Sequence, residues 1–183
     1  AENPSNPLRK VSEIYDRIGF MGVGKYNEFD QLRIAGVRHA DLKGYSYSRA
    51  DVDARWLANQ YAQILGQYFT HEMKPLEVEM LIAEMGTEPG GDRLFHLLYD
   101  GTVMDTTTHV VIGGEADVIR ERLEASWASG VDLETALGVA VNALAGPDRT
   151  LSPDDLEVAV LARDNGRRAF RRLEGEALAA LLG

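Results

Sequence analysis

Four histidines could hold a metal ion or transfer a proton: His39, His71, His96 and His109. No two of them are four residues apart, which is the spacing that places two imidazoles on one face of a helix for zinc. His39 lies two residues before Asp41, and side chains at that spacing do not share a helical face. The pattern is typical of scattered surface or core histidines and does not indicate a metal site.

Nucleophilic and phosphate-binding motifs are incomplete. The sequence has no cysteine, and no serine stands in the Gly-x-Ser-x-Gly turn that exposes a catalytic hydroxyl. Gly22 and Gly24 lack the further glycine that would complete a phosphate loop, which favours close packing of a helix on a strand. Gly113 and Gly114 open a helix that could hold an anion, but Glu115 follows at once. The residues alone therefore indicate no active site, no cofactor and no metal.

Charge and hydropathy argue against two classes of partner. The formal net charge is −10, and an acidic surface repels phosphate backbones, so no nucleic acid is expected. No apolar run approaches the roughly 20 residues that span a bilayer, and no signal sequence opens the chain, so no membrane partner is expected. One basic cluster is either a patch for an acidic partner or a solvated edge hairpin, and the pattern favours the hairpin. Its members are Arg163, Arg167, Arg168, Arg171 and Arg172.

Turn residues and hydrophobic periodicity predict alternating blocks of strands and helices. Strand pairs joined by short turns imply mainly antiparallel sheets, and helix pairs between the strand blocks imply sheets that are covered on both outer faces. The sequence therefore predicts a single α+β domain over residues 1–183, with a four-layer α-β-β-α sandwich. The predicted strands lie within residues 11–24, 78–85, 93–99, 102–104, 109–112, 156–161 and 169–173, and the helices within 26–40, 48–69, 119–127, 133–144 and 176–182.

Segments along the whole chain resemble α-type subunits of the 20S proteasome, most like the actinobacterial kind. The longest is KVSEIYDRIGF at residues 10–20, and GKYNEFD follows at 24–30. Singly these segments are unspecific, but together and in order they are specific. The others are YSYSR at 45–49, LANQYA at 57–62, KPLEVE at 74–79, YDG at 99–101 and RAFRR at 168–172.

The resemblance implies the α-β-β-α sandwich of N-terminal-nucleophile hydrolases, which agrees with the order of predicted elements. It also implies a cytoplasmic, non-catalytic subunit that joins identical copies in a heptameric ring, stacks on proteasome β subunits and controls the entry of substrates for degradation. In that family only β-type subunits cleave peptides, using a threonine at residue one whose α-amino group accepts the proton. This sequence has Ala1 at that place, which carries no hydroxyl, and the early segment with the assisting lysine and aspartate has no counterpart.

Three residues are expected to form a docking pocket. Lys10 matches the pocket lysine of the family, and Gly24 and Lys25 match positions that line the same pocket between neighbouring α subunits. These pockets receive the C-terminal tails of a regulatory ATPase ring, and a lysine offers three donors and a positive charge to a tail carboxylate. Without the resemblance, Lys10 would be interpreted as an ordinary surface lysine.

The sequence departs from the family pattern at its beginning. The family carries a gating tail, an N-terminal ring helix and a first strand hairpin ahead of the match to Ala1. Either the sequence is a fragment that leaves this segment out, or the segment is absent, in which case one sheet is expected to lose two strands and expose an unpaired edge. Two alternatives stay open. One is a threonine-type peptidase of the β kind or another N-terminal-nucleophile amidohydrolase, and the other is a free-standing binding module without ring partners.

Overall fold

The computed structural model describes residues 9–71 and 74–183, so Ala1 and the turn expected at residues 3–7 lie outside the described residues. The observed order of strands and helices follows the predicted order, except for the strand predicted at residues 109–112. The elements are β1 (Val11–Tyr15), β2 (Ile18–Gly24), α1 (Tyr26–Ser46), α2 (Ala54–His71), β3 (Val78–Glu84), β4 (Arg93–Leu97), β5 (Val103–Thr106), α3 (Ala116–Ser126), α4 (Leu133–Ala145), β6 (Val158–Leu161), β7 (Phe170–Leu173) and α5 (Gly175–Leu182).

The strands form two antiparallel sheets. The first has five strands in chain order, β1 to β5, and the second pairs β6 with β7. Successive side chains of a strand point to opposite faces, so Val78, Met80 and Ile82 of β3 are buried together on one face. Helix α1 packs on β1 to β3, and α2 packs on β3 to β5, so the two helices cover that face.

The main core lies between these helices and the five-stranded sheet. Tyr61 of α2 reaches across it, and its hydroxyl donates a hydrogen bond of 2.7 Å to the carbonyl of Leu32 in α1. Burial raises the pKa of the Tyr61 phenol far above its ordinary value, so the group is a neutral donor. Gly36, one turn after Leu32, leaves the space that the Tyr61 hydroxyl occupies.

The opposite face of the large sheet looks toward the small one. A side chain added at Gly19 would lie 3.8 Å from both Leu161 and Phe170 of the β6–β7 pair. Beyond that pair, Leu137 of α4 and Leu178 of α5 form a second core with Leu173. The layers therefore run helices, sheet, sheet, helices, and the predicted α-β-β-α architecture is confirmed.

An apolar groove of about 310 Å³ remains between the two sheets. The large sheet contributes Met21 and Leu81 to its wall, and α4 contributes Val141. The small sheet has only two strands among the described residues, so its outer edges carry no strand partner there.

One predicted helix boundary and one predicted strand are wrong. Helix α1 continues to Ser46 instead of ending near residue 40, because Gly44 packs against the hydroxyl of Tyr15 and does not end the helix. Residues 109–112 form no strand, although Val111 is buried, since no neighbouring strand of the described chain pairs with them. No helix in the described part of the chain is both long and apolar enough to cross a membrane.

Candidate functional site

The structure brings the three predicted docking residues to one edge of the five-stranded sheet. Lys10 immediately precedes β1, and its carbonyl accepts a hydrogen bond of 3.0 Å from the amide of Gly22 in β2. Gly24 ends β2, and Lys25 lies at the N-terminal cap position of α1. Because β1 and β2 are antiparallel, the start of one strand and the end of the other share this edge.

The backbone conformation at Gly24 requires glycine. Its φ is +106°, in the left-handed region that favours glycine, and an added Cβ would collide with the carbonyl oxygen of Glu77. That carbonyl accepts a hydrogen bond of 2.9 Å from the amide of Lys25. The turn from β2 into α1 is therefore fixed against the residues that lead into β3.

A second contact fixes the beginning of α1 at the same place. The Glu28 carboxylate accepts a hydrogen bond of 2.7 Å from the backbone amide of Glu77. The ammonium groups of Lys10 and Lys25 form no ion pair with any residue of ranges 9–71 and 74–183, and both side chains are exposed. Lys74, at the same edge, is already paired with Glu77 at 3.2 Å. The edge thus presents two cations that can bind an external carboxylate.

A cleft of about 610 Å³ opens beside these residues. Gly24 lines this cleft, together with Pro75, Leu76 and Tyr99. Among the residues that the structure describes, Lys10 and Lys25 do not line it. The structure therefore places one of the three predicted residues in the cleft, and the two lysines lie on the same sheet edge.

Glu79 and His96 form a polar pair in the same region that sequence patterns do not reveal. Glu79 of β3 contacts the Nε2 atom of His96 in β4 through one oxygen, and its other oxygen accepts a hydrogen bond of 3.1 Å from the amide of Gly113. Leu81 pairs with His96 across the strands, so Glu79 lies on the same face in the diagonal position. The pair joins the two strands to the segment before α3, and only the strand register could have indicated it.

The other histidines do not join this pair in a site. His109 lies 3.4 Å from the carboxylate of Glu124, and its ring lies 5.5 Å from that of Trp127. Among the residues that the structure describes, no three His, Cys, Asp or Glu side chains come close enough together to hold a metal ion.

The basic cluster is an edge hairpin, and four of its five arginines contact carboxylates of this same chain. Arg168 donates through two nitrogens to Glu13 of β1, and Arg172 of β7 contacts Glu157 at 3.3 Å. Arg163, before β7, donates to the carboxylate of Asp92. The Arg168 and Arg163 pairs attach the small sheet to the large one, and the Arg172 pair joins β7 to the residue before β6. These contacts support the hairpin interpretation of the cluster over a patch for an external acidic partner.

The family model described as Proteasome subunit matches residues 3–161 of this chain. The chain belongs to the proteasome subunit family. The described fold, with helices outside two antiparallel sheets, is the α+β sandwich that this membership implies. The match includes all three predicted docking residues and the strand edge that carries them.

Curated relatives in this family are similar over the full chain. "Proteasome subunit alpha" of Acidimicrobium ferrooxidans is 59% identical over 183 residues, which are 100% of this chain and 79% of that protein. Proteins with the same name from Xylanimonas cellulosilytica and Kineococcus radiotolerans are 54% and 53% identical. Their alignments cover 97% and 100% of this chain, and 77% and 81% of theirs.

Proposed function

We propose that this chain is a non-catalytic α-ring subunit of a proteasome core particle that acts in protein degradation in the cytoplasm. The observation that carries the proposal is the 59% identity, over all 183 residues, to a protein named proteasome subunit alpha. Catalysis in the particle belongs to β subunits that use an N-terminal threonine, whose own amino group can serve as the base. The role of this chain is then to form a ring with identical copies, to stack on the β subunits and to control substrate entry.

The sheet edge at Lys10, Gly24 and Lys25 is proposed as the surface that binds the C-terminal tails of a regulatory ATPase ring. Two exposed ammonium groups without an ion-pair partner in the described chain support this role, because a charged hydrogen bond to a carboxylate is stronger than a neutral one. The neighbouring cleft, lined by Gly24, Pro75 and Tyr99, offers apolar surface for the residues that precede such a carboxylate.

Substitution of Lys10 by alanine tests this docking role in a particle assembled from this chain and β subunits. We expect ATPase-stimulated degradation of an unfolded protein to be lost, because the tail carboxylate loses its cation, while cleavage of a small peptide by the same particle is unchanged. Lys43→Ala is the matched control, because Lys43 lies near the other end of α1 and stacks 4.4 Å from the ring of Trp56. Full ATPase stimulation of the Lys10→Ala particle would exclude docking at this lysine.

We further propose that the segment preceding residue 1 in the relatives forms a strand hairpin, and that this hairpin covers the apolar groove between the sheets. About a fifth of the first relative lies outside the region that this chain matches, and the groove lies beside the edges of the small sheet that have no strand partner among the described residues. A version of this chain extended by that segment is expected to melt higher and to bind less of a hydrophobic fluorescent dye. Equal melting temperature and equal dye binding would contradict this arrangement.

A further inference from the structure

The backbone at Lys10 is held by a carboxylate that comes from the far end of the chain. Glu157, the residue before β6, accepts a hydrogen bond of 2.9 Å from the amide of Lys10 and another of 2.9 Å from the amide of Val11. Each oxygen of the carboxylate takes one of the two consecutive N–H groups. Glu157 thereby supplies a hydrogen-bond partner to both backbone donors.

Arg172 of β7 fixes that carboxylate in place. Its guanidinium donates to Glu157 at 3.3 Å and to the carbonyl of Val11 at 2.6 Å. The Arg172 and Glu157 side chains are only 22% and 28% exposed, so water screens the pair less than it would screen a free surface pair. The result is a closed set of contacts that joins the start of β1 to both strands of the small sheet.

This set of contacts determines where the Lys10 side chain begins. A lysine side chain has several rotatable bonds, so binding a carboxylate costs conformational entropy, and a mobile backbone would raise that cost. Glu157 removes the backbone part of the cost by fixing two consecutive amides at this position. It does so without contacting the ammonium group, which stays free of ion pairs in the described chain.

We propose that Glu157, held by Arg172, is a positioning residue for tail binding at Lys10. The inference rests on the proposed docking function and goes beyond it, because it assigns a role in docking to the small sheet. The ligand is a peptide that ends in a free α-carboxylate. Glu157 acts on that ligand only through the backbone of Lys10.

The test measures binding to the assembled particle of a short peptide that copies the tail of its regulatory ATPase, in a free-acid and an amidated form. In the unchanged particle we expect the free acid to bind more tightly, because only it carries the carboxylate for Lys10. Glu157→Ala is expected to lower the affinity for the free-acid peptide by about two- to thirtyfold and to leave the affinity for the amidated peptide nearly unchanged. Glu157→Gln keeps one carbonyl acceptor, so it is expected to lower the affinity for the free-acid peptide less than Glu157→Ala does.

Glu13→Gln is the matched control. Glu13 also joins β1 to the hairpin through an arginine, Arg168, but its carboxylate makes no hydrogen bond to the backbone of Lys10 in the described structure. If Glu157 only attaches the two sheets to each other, Glu13→Gln and Glu157→Gln will weaken binding of both peptide forms alike, and the positioning role is wrong. A loss confined to the free acid in the Glu157 variants supports it.

Lys10→Ala separates the two proposals. An affinity unchanged by Lys10→Ala overturns docking at this lysine, and the positioning role with it. A loss with Lys10→Ala but none with either Glu157 variant overturns the positioning role alone. In the double variant Lys10→Ala/Glu157→Ala we expect no further loss beyond that of Lys10→Ala, because the two residues act on one contact.

Discussion

The same substitution, glycine to alanine inside a helix, should have opposite effects at two positions of this chain. Gly36 lies in α1 and Gly138 in α4. Helix propensity alone predicts that alanine stabilises both helices by about 0.5–1 kcal/mol. A Cβ at Gly138 would meet no atom within 4 Å, whereas a Cβ at Gly36 would overlap the Tyr61 hydroxyl oxygen and lie 2.8 Å from the ring carbon that carries it.

The magnitude at Gly36 follows from that collision. Forcing an extra methyl group into a packed core costs about 1–3 kcal/mol. The displaced Tyr61 also loses its 2.7 Å hydrogen bond to Leu32, which is worth about 1 kcal/mol and roughly cancels the gain in helix propensity. Gly36→Ala is therefore expected to lower the free energy of unfolding by about 1–3 kcal/mol, or the melting temperature by roughly 2–12 °C. Gly138→Ala should raise both quantities slightly.

Thermal and urea unfolding of the two variants, followed by circular dichroism, measure these free energies. A third variant identifies the cause: Tyr61→Phe removes the hydroxyl oxygen from the path of the new methyl group. The double variant Gly36→Ala/Tyr61→Phe should therefore be more stable than the sum of the single effects predicts, with a coupling of about 0.5–3 kcal/mol. The packing argument is refuted if Gly36→Ala stabilises the protein as much as Gly138→Ala does.

Two further predictions concern the sheet edge and the interior. Gly24→Ala should lower the free energy of unfolding by about 1–3 kcal/mol or more, because an L-residue is strained at φ +106° and its Cβ meets the Glu77 carbonyl. Gly114→Ala is the control, since its Cβ would meet nothing within 4 Å, and it should change the free energy of unfolding by less than about 0.5 kcal/mol. Urea titration measures both values. Burial raises the pKa of Glu84 in the folded state, although Arg17 opposes the shift. The folded protein then holds this proton more tightly than the unfolded chain, so the contribution of Glu84 to stability falls as pH rises from below its ordinary pKa through the raised value. The melting temperature of Glu84→Gln relative to the unchanged chain should therefore increase between pH 4 and pH 7, and a decrease over that range would contradict the sign.

Local patterns were sufficient to predict most of the fold. The apolar spacing of Phe29, Leu32 and Gly36 predicted the buried face of α1, and all three are buried. The Asp100–Gly101 turn predicted the hairpin between β4 and β5. These signals depend only on residues that are close together in the chain, so one sequence is enough to recognise them.

Pairings between distant residues could not be predicted. The segment 109–112 has the composition of a buried strand, but a strand also needs a neighbour, which its own residues do not specify. Glu79 and His96 are 17 residues apart, and Glu157 and Lys10 are 147 apart, so their contacts depend on strand register and on the stacking of the sheets. The end of α1 could not be predicted for the same reason, since Gly44 packs against Tyr15, which belongs to β1.

We propose that this chain forms part of a proteasome ring and does not itself cleave peptides. The most direct measurement is intact mass spectrometry of the particle formed with β subunits, after incubation with a threonine-reactive inhibitor. We predict the added mass on the β subunits alone, with this chain unmodified in the same particle. An inhibitor adduct on this chain, or peptide cleavage by the chain purified without β subunits, would contradict the account.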